Sequence, residues 1–291
     1  MGNRLEGRVA IVTGASRGLG RAIAIGLAAE GAHVAVAART EQVWDERLPG
    51  TIGETVATIE AAGGKAVPIR ADLLEPGDTV RLVEQTREKL GPISILINNA
   101  AFTASGRPPR EGEVKEAKAP GAPKAARANW PGFVGTPLSA YRRHFEIGVF
   151  ASYELMQLVA PDMAGLGGGA IVNISSGASR MPGEGPFPDR SERLLPGYGG
   201  GKAALEHLTN CAGYELADHN IVVNALSPSV AIKTPGVLYY SKDFDNVGSE
   251  EDFAEATIRL CLIDPSVVTG RTMGHHEVLD GSFTSFERWR R

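Results

Sequence analysis

Only two cysteines, Cys211 and Cys261, occur in 291 residues. That scarcity argues against a disulfide framework and fits a reducing compartment, so a cytoplasmic location is expected. Basic charge is not in excess: 30 Lys and Arg stand against 34 Asp and Glu, a formal net charge of −4. Nucleic-acid proteins usually show the opposite balance, and an anionic membrane surface finds no general attraction here. No run of about 18 consecutive apolar residues exists, the length a membrane helix needs. Near the N-terminus, Arg4, Glu6 and Arg8 precede a short apolar run ending at Gly14, which is not the form of a secretory signal. Neither nucleic acid nor membrane is therefore an expected partner. Glycine is what the chain has in excess, 36 residues or about one in eight, against a usual ~7%.

Short apolar runs alternate with amphipathic segments. Strands are expected at 8–13, 33–38, 65–71, 94–97, 170–174 and 221–226, with a last one near 271–278. Helices are expected at 21–30, 51–62, 78–90, 138–164 and 198–217, and from a Ser249–Asp252 capping box to about Leu262. Buried strands alternating with helices predict an α/β fold, a doubly wound parallel sheet of about seven strands covered on both faces. No linker or repeat divides the series, so 1–291 reads as one domain. Two irregular insertions interrupt it, near 102–137 and 180–196. Between Arg107 and Arg127 the first holds six cations and three glutamates. It reads as a solvated loop, or as a basic flap over a phosphate-bearing substrate or carrier.

Three constellations carry chemistry. Gly14-Ala-Ser16-Arg17-Gly18-Leu19-Gly20 joins the first strand to the first helix. Free N–H groups and a partial positive charge at a helix start suit a phosphate, and glycine permits close backbone approach. Alone, such a turn is weak evidence. The second strand ends in Arg39-Thr40, where an NAD site usually has a carboxylate for the ribose. Arg39 and Arg17 converging on a 2′-phosphate favour NADP(H) over NAD(H). Asp72-Leu73, past the third strand, is placed to meet an adenine. Tyr198 and Lys202 share a helix face, after the serine pair Ser175-Ser176. A nearby ammonium lowers a phenol's pKa towards the range useful for proton transfer.

Thr13–Gly20, Asn98-Asn99-Ala100-Ala101, Ser176, Tyr198-x-x-x-Lys202 and Asn224-Ala-Leu-Ser-Pro228 occur in the order seen in short-chain dehydrogenases/reductases. The chain resembles that family from about Leu5 to Ser282, in its single-domain branch with 3-oxoacyl reductase-like members. The resemblance implies a Rossmann-type sheet, a nicotinamide cofactor and chemistry at an alcohol/carbonyl centre. It implies Tyr198 as acid/base, Lys202 as its activator and ribose ligand, and Ser176 as donor to the substrate oxygen. Asn99, Ala100 and Ala101 border the cofactor by the same likeness, as do Pro228, Ser229 and Val230. Departures temper it. Gly148 stands where the family often has an Asn thought to hold a relay water. Gly199-Gly-Gly201 separates Tyr198 from Lys202, implying close packing or a soft helix start. Ser176 and Tyr198 lie 22 apart, longer than usual, and Ser229 replaces a usual Gly.

The expected function is an NADP-dependent oxidoreductase acting on a small, largely apolar carbonyl or alcohol. The alternatives are an NADP-binding protein with little catalysis and a carrier- or CoA-linked 3-oxoacyl reductase. Tyr239, Tyr240 and Phe244 read as an aromatic lid or a packed loop. His275-His276 lacks a third ligand at sensible spacing, so these read as surface or interface histidines and no metal is expected. Phe283, Phe286 and Trp289 read as a tail docking on a neighbouring subunit. With the resemblance, this makes a homo-oligomer, tetramer or dimer, the expected state.

Overall fold

The computed structural model describes residues 3–102, 133–179, 196–238 and 247–283. The basic stretch 107–127, the aromatic residues 239, 240 and 244, and most of the 180–196 insertion lie outside them, as does the tail beyond 283.

In chain order the elements are β1 (Val9–Thr13), α1 (Gly18–Ala29), β2 (His33–Ala38), α2 (Ile52–Ala61), β3 (Lys65–Arg70), α3 (Asp78–Leu90) and β4 (Ile95–Asn98). Then come α4 (Leu138–Phe145), a π-helical turn (Glu146–Phe150), α5 (Ala151–Gly165), β5 (Gly169–Ile174), α6 (Pro196–Leu216) and β6 (Ile221–Ser227). The chain continues with β7 (Ala231–Ile232), α7 (Pro235–Leu238), β8 (Val247–Gly248), α8 (Glu250–Leu262), β9 (Thr272–Gly274) and α9 (His275–Asp280). The main sheet has seven strands in the order β3-β2-β1-β4-β5-β6-β9. All its neighbours pair in parallel. This is the doubly wound Rossmann-type arrangement, confirming the expected α/β class. The strand order reverses between β1 and β4, so the crevice beyond the strands' C-terminal ends is the place for a ligand.

Strand residues alternate between two cores. Ala10 and Val12 pack on one face with Ile23 and Leu27 of α1, Ile59 of α2 and Phe253 of α8. Val9 and Ile11 pack on the other with Leu82 of α3 and Leu155 and Val159 of α5. Burial of this kind contributes roughly 1.5–3 kcal/mol per large side chain and holds the strand ends rigidly.

Local chemistry moved several boundaries. The helix expected over 138–164 is broken by the π-helical turn at 146–150, which takes up an extra residue around Gly148. The strand expected over 271–278 stops at Gly274, and α9 begins at once, its first turn capped by Glu277 bonding back to the Gly274 N–H. Only half of the capping box expected at Ser249 exists. Ser249 Oγ accepts from the Asp252 N–H at 2.8 Å, but the structure shows no return bond from Asp252, whose side chain is a methylene shorter than Glu. The complete box is Thr51 with Glu54. Among the described residues, no helix is long and apolar enough to cross a membrane.

Candidate active site

The sheet topology brings the sequence motifs to one edge. A cleft of about 740 Å³ runs across the strands' C-terminal ends, from the Gly14–Gly20 turn to Tyr198 and Lys202. Ser16, Arg17, Leu19, Arg39, Thr40, Asp72, Leu73, Asn99, Ala100, Ala101, Ser176, Pro228, Ser229 and Val230 all line it.

At its first end the β1–α1 turn is locked to the end of β4. Asn99 Nδ2 donates to the carbonyls of Thr13 (2.9 Å) and Gly14 (3.2 Å). Thr13 Oγ1 accepts from the N–H groups of Asn99 and Ala100 and donates to Ile97 O. Gly14 has φ +66°, and a Cβ on Gly20 would overlap both Asn99 Nδ2 and the Gly14 carbonyl. Arg17, at the N-cap of α1, makes no side-chain cap, so the helix start offers free N–H donors to the cleft.

Arg17 leans across the end of β2. Its Nη2 donates to Thr40 Oγ1 (3.2 Å) and Gly50 O (3.1 Å), while its buried Nε finds no partner among the described residues. Burial, then the like charge of Arg39, pushes the guanidinium below its ordinary range, and Asp45 opposes them. An anion placed here relieves both penalties. Asp72 lines the cleft but turns Oδ1 onto the Leu74 N–H at 3.2 Å, closing its own turn.

At the far end Ser176 and Tyr198 line the same stretch of the cleft, and Ser176 acts to lower the phenol's pKa. Ser176 sits in the turn after β5, with its Oγ accepting from the Ala178 N–H at 3.3 Å. Lys202 is buried, donates Nζ to Ile174 O, and stands 5.8 Å from the Tyr198 ring centre. Burial lowers its pKa to about 8, with Glu206 acting to raise it. The expected lowering of the tyrosine by the ammonium is not found. Burial raises Tyr198 above its usual value, and Ser176 alone pulls it down. Nζ points at a backbone carbonyl, and desolvation is the larger effect on the phenol.

Within the run Gly199–Gly201, close packing accounts for Gly199, while a Cβ on Gly200 or Gly201 would meet only ordinary contacts at 3.8 and 3.5 Å. A Cβ on Gly199 would overlap Ala178 O, and one on Gly197 would crowd His144 Cδ2 at 2.7 Å. Gly148 is different, since a Cβ there would meet nothing within 4 Å. Its carbonyl accepts from Ser152 Oγ at 3.2 Å.

Two histidines escaped the sequence reading. His144 of α4 meets Tyr198 edge-on at 5.9 Å and Phe102 at 5.1 Å. Nothing local marks it, because α4 and α6 meet only in the fold. His275 corrects the surface reading: it is fully buried, and its Nδ1 accepts from the Ser229 N–H at 2.8 Å. With His276 N–H on Ser229 Oγ (3.1 Å), it ties the Pro228–Val230 loop to α9. Phe283 likewise packs on its own chain's core.

Burial and the Lys202 charge hold His144 at about 4, against 6.5 unperturbed. The folded state thus takes up this proton later than the unfolded chain as pH falls. Stability tied to His144 is complete above about 6.5 and is lost as pH drops towards 4. Thermal unfolding across that window should show a smaller acid-induced fall in Tm for His144→Phe than for wild type. Parallel curves would show that His144 contributes nothing to acid sensitivity.

A family model described as "short chain dehydrogenase" matches residues 8–120 and 124–241. The 7alpha-hydroxysteroid dehydrogenase of Escherichia coli strain K12 is 29% identical over 280 residues, covering 93% of each chain. Cyclohexanol dehydrogenase of Acinetobacter sp. strain SE19 is 28% identical, covering 98% of each. A solved 7α-hydroxysteroid dehydrogenase, complexed with NADH and 7-oxo glycochenodeoxycholic acid, is similar with a TM-score of 0.70 at 28% identity, covering 94% of each chain. The motifs, their shared cleft and the family match agree: this chain belongs to the short-chain dehydrogenase family.

Proposed function

We propose that the protein is an NADP-dependent oxidoreductase that moves a hydride between the nicotinamide and a secondary alcohol or ketone, with Tyr198 as acid/base. The observation that carries this reading is the gathering of Ser176, Tyr198 and Lys202 at one end of a cleft whose other end holds Arg17 and Arg39. The residues fit a dinucleotide. An uncapped helix start faces the pyrophosphate position, and Arg17 keeps a buried Nε free for a 2′-phosphate. Leu19, Thr40, Asp72, Leu73, Asn99, Ala100, Ala101 and the Pro228–Val230 loop wall the remaining length. The family and its alcohol-dehydrogenase relatives support chemistry at a CH–OH/C=O centre.

The nicotinamide supplies or accepts the hydride. The chain does the rest. In reduction Tyr198 gives its hydroxyl proton to the substrate oxygen as the carbonyl carbon is reduced, leaving a phenolate and an alcohol. Ser176 donates a hydrogen bond to that oxygen and steadies its growing charge. Lys202 holds the ribose and stabilises the phenolate once formed. A phenol kept protonated by burial is ready for this direction. Oxidation runs the same steps backwards, with Tyr198 taking the alcohol proton.

The whole of 1–291 then serves as one cofactor-binding domain, in a reducing cytoplasm. Exposed Phe150, Tyr153 and Tyr214 on the outer helices support a homo-oligomer. Two relatives are named for ring alcohols, which favours a small, largely apolar cyclic substrate. A second reading, a cofactor-binding protein with little turnover, is favoured by one observation: glycine stands at 148, where the family often has an Asn.

Fluorescence titration with NADPH and NADH tests the cofactor assignment, and cyclohexanone and hydroxysteroid ketones then test turnover. NADPH should bind at least about tenfold tighter, roughly the 1.4 kcal/mol that one charge-assisted contact supplies. Arg39→Ala should erase that margin. Equal affinity in wild type refutes the 2′-phosphate assignment and leaves the reaction class standing. Binding without turnover supports the second reading.

A further inference from the structure

Helix α6 carries Tyr198, Lys202 and Glu206 at successive four-residue steps, so all three share one face. The first two have roles in the chemistry proposed above. Glu206 has none there, yet one of its carboxylate oxygens takes two serine hydroxyls. A single oxygen, Oε1, accepts from the hydroxyls of both Ser175 and Ser179, the latter at 2.7 Å. Those serines bracket Ser176. Between them the chain makes one 3-10 turn, Gly177–Ser179, and Gly199 of α6 packs directly on its Ala178 carbonyl. The segment that bears Ser176 is thus tied to the Tyr198 helix at both ends, through one carboxylate.

We propose that Glu206 is a positioning residue: its carboxylate clamps the Ser175–Ser179 turn to α6 and so holds the Ser176 hydroxyl beside Tyr198. The proposal rests on the reading of Ser176 and Tyr198 as the groups that handle the substrate oxygen. Without the carboxylate, two partly buried hydroxyls lose their acceptor and the turn has no anchor on its serine side. A displacement of about 1 Å at a reacting group is enough to cost ~10²-fold in rate. The same carboxylate carries charge. Lys202 faces Tyr198 and Glu206 from its own helix, His144 from α4, and the Ile174 carbonyl from β5. Glu206 is the anion in that set, so it supports the protonated lysine.

Three variants separate clamp from charge. Kinetics are measured with NADPH and whichever ketone the panel finds, alongside cofactor affinity and Tm. Glu206→Gln keeps an acceptor oxygen and loses the charge. It should retain most of kcat at neutral pH while the alkaline fall in rate, which tracks Lys202, moves to lower pH. The double variant Ser175→Ala/Ser179→Ala removes the tethers and keeps the charge. It should lose roughly 10²-fold in kcat with its alkaline limb unmoved and cofactor affinity intact. Glu206→Ala should show both effects.

The decisive reading is coupling. Ser176→Ala should cost much in wild type and little in the untethered background, because its hydroxyl is already misplaced there. Equal costs in both backgrounds overturn the proposal, as does an untethered variant with wild-type kcat. If Tyr198→Phe keeps wild-type turnover, the underlying assignment of the reaction has failed instead. If Tyr198→Phe is inactive while the Ser176 costs are equal, the clamp alone has failed.

Discussion

Tyr198→Phe should lose at least about 10³-fold in kcat while NADPH binds as in wild type. The substitution removes one oxygen and keeps the ring. The edge contact with His144 survives, and so does the packing of α6 on the turn after β5. What disappears is the hydroxyl beside Ser176 and, in the proposed reaction, the proton for the substrate. Losing one hydrogen bond costs about 1 kcal/mol of stability, too little to unfold a chain of this size. Most of the proposed cofactor contacts lie elsewhere in the cleft, on the Gly14–Gly20 turn, the ends of β2 to β4 and the Pro228–Val230 loop. Stopped turnover with unchanged affinity is therefore the signature of a proton donor. Affinity that falls in step with turnover would mean that Tyr198 holds the cofactor instead, and the division of roles would fail.

Gly20→Ala should abolish tight cofactor binding and lower Tm by several degrees. An added Cβ would overlap Asn99 Nδ2 and the Gly14 carbonyl, which are themselves hydrogen-bonded to each other. Neither neighbour can step aside cheaply. Asn99 is also held by the Thr13 carbonyl at 2.9 Å, and Gly14 sits at φ +66° with Ala100 behind it. Relief requires the β1–α1 turn to move away from β4, and overpacking of this kind costs roughly 1–3 kcal/mol. At about 2–4 °C per kcal/mol that is a fall of about 5 °C in Tm. The larger loss is in binding, because the displaced turn no longer aims its N–H groups at the phosphate. Titration with NADPH and a thermal melt check both numbers. A variant that binds NADPH with wild-type affinity would show that this turn does not carry the pyrophosphate.

Much of the candidate site was legible before the fold. The Gly14–Gly20 turn, Arg39-Thr40, Asp72-Leu73, Asn99–Ala101, Ser176 and Pro228–Val230 each follow a strand, and all of them reach the cleft. They were readable because a buried strand, a turn and a helix start are each written in a few consecutive residues. Legibility failed where two elements meet. The break at Glu146–Phe150 was missed because a helical periodicity runs through it, with a single glycine as its mark. His275 looked like a surface residue because its partner, the Ser229 N–H, lies 46 residues away.

Residue order alone determined the layered α/β architecture, the glycine turn between β1 and α1 with Arg17 in it, Arg39 beyond β2 and the pairing of Tyr198 with Lys202. Each depends on a period of two, a period of 3.6 or a chemical type at one position. Tertiary structure decided the rest. It set His144 against Tyr198, tied Ser175 and Ser179 to Glu206 across 31 and 27 residues, and turned Lys202 onto Ile174 O. It also desolvates the Tyr198 phenol, which pushes its pKa up. Spacing along a helix shows which groups are neighbours, but burial decides which charge state they keep. Burial belongs to the packed sheet and its helices, not to any one segment.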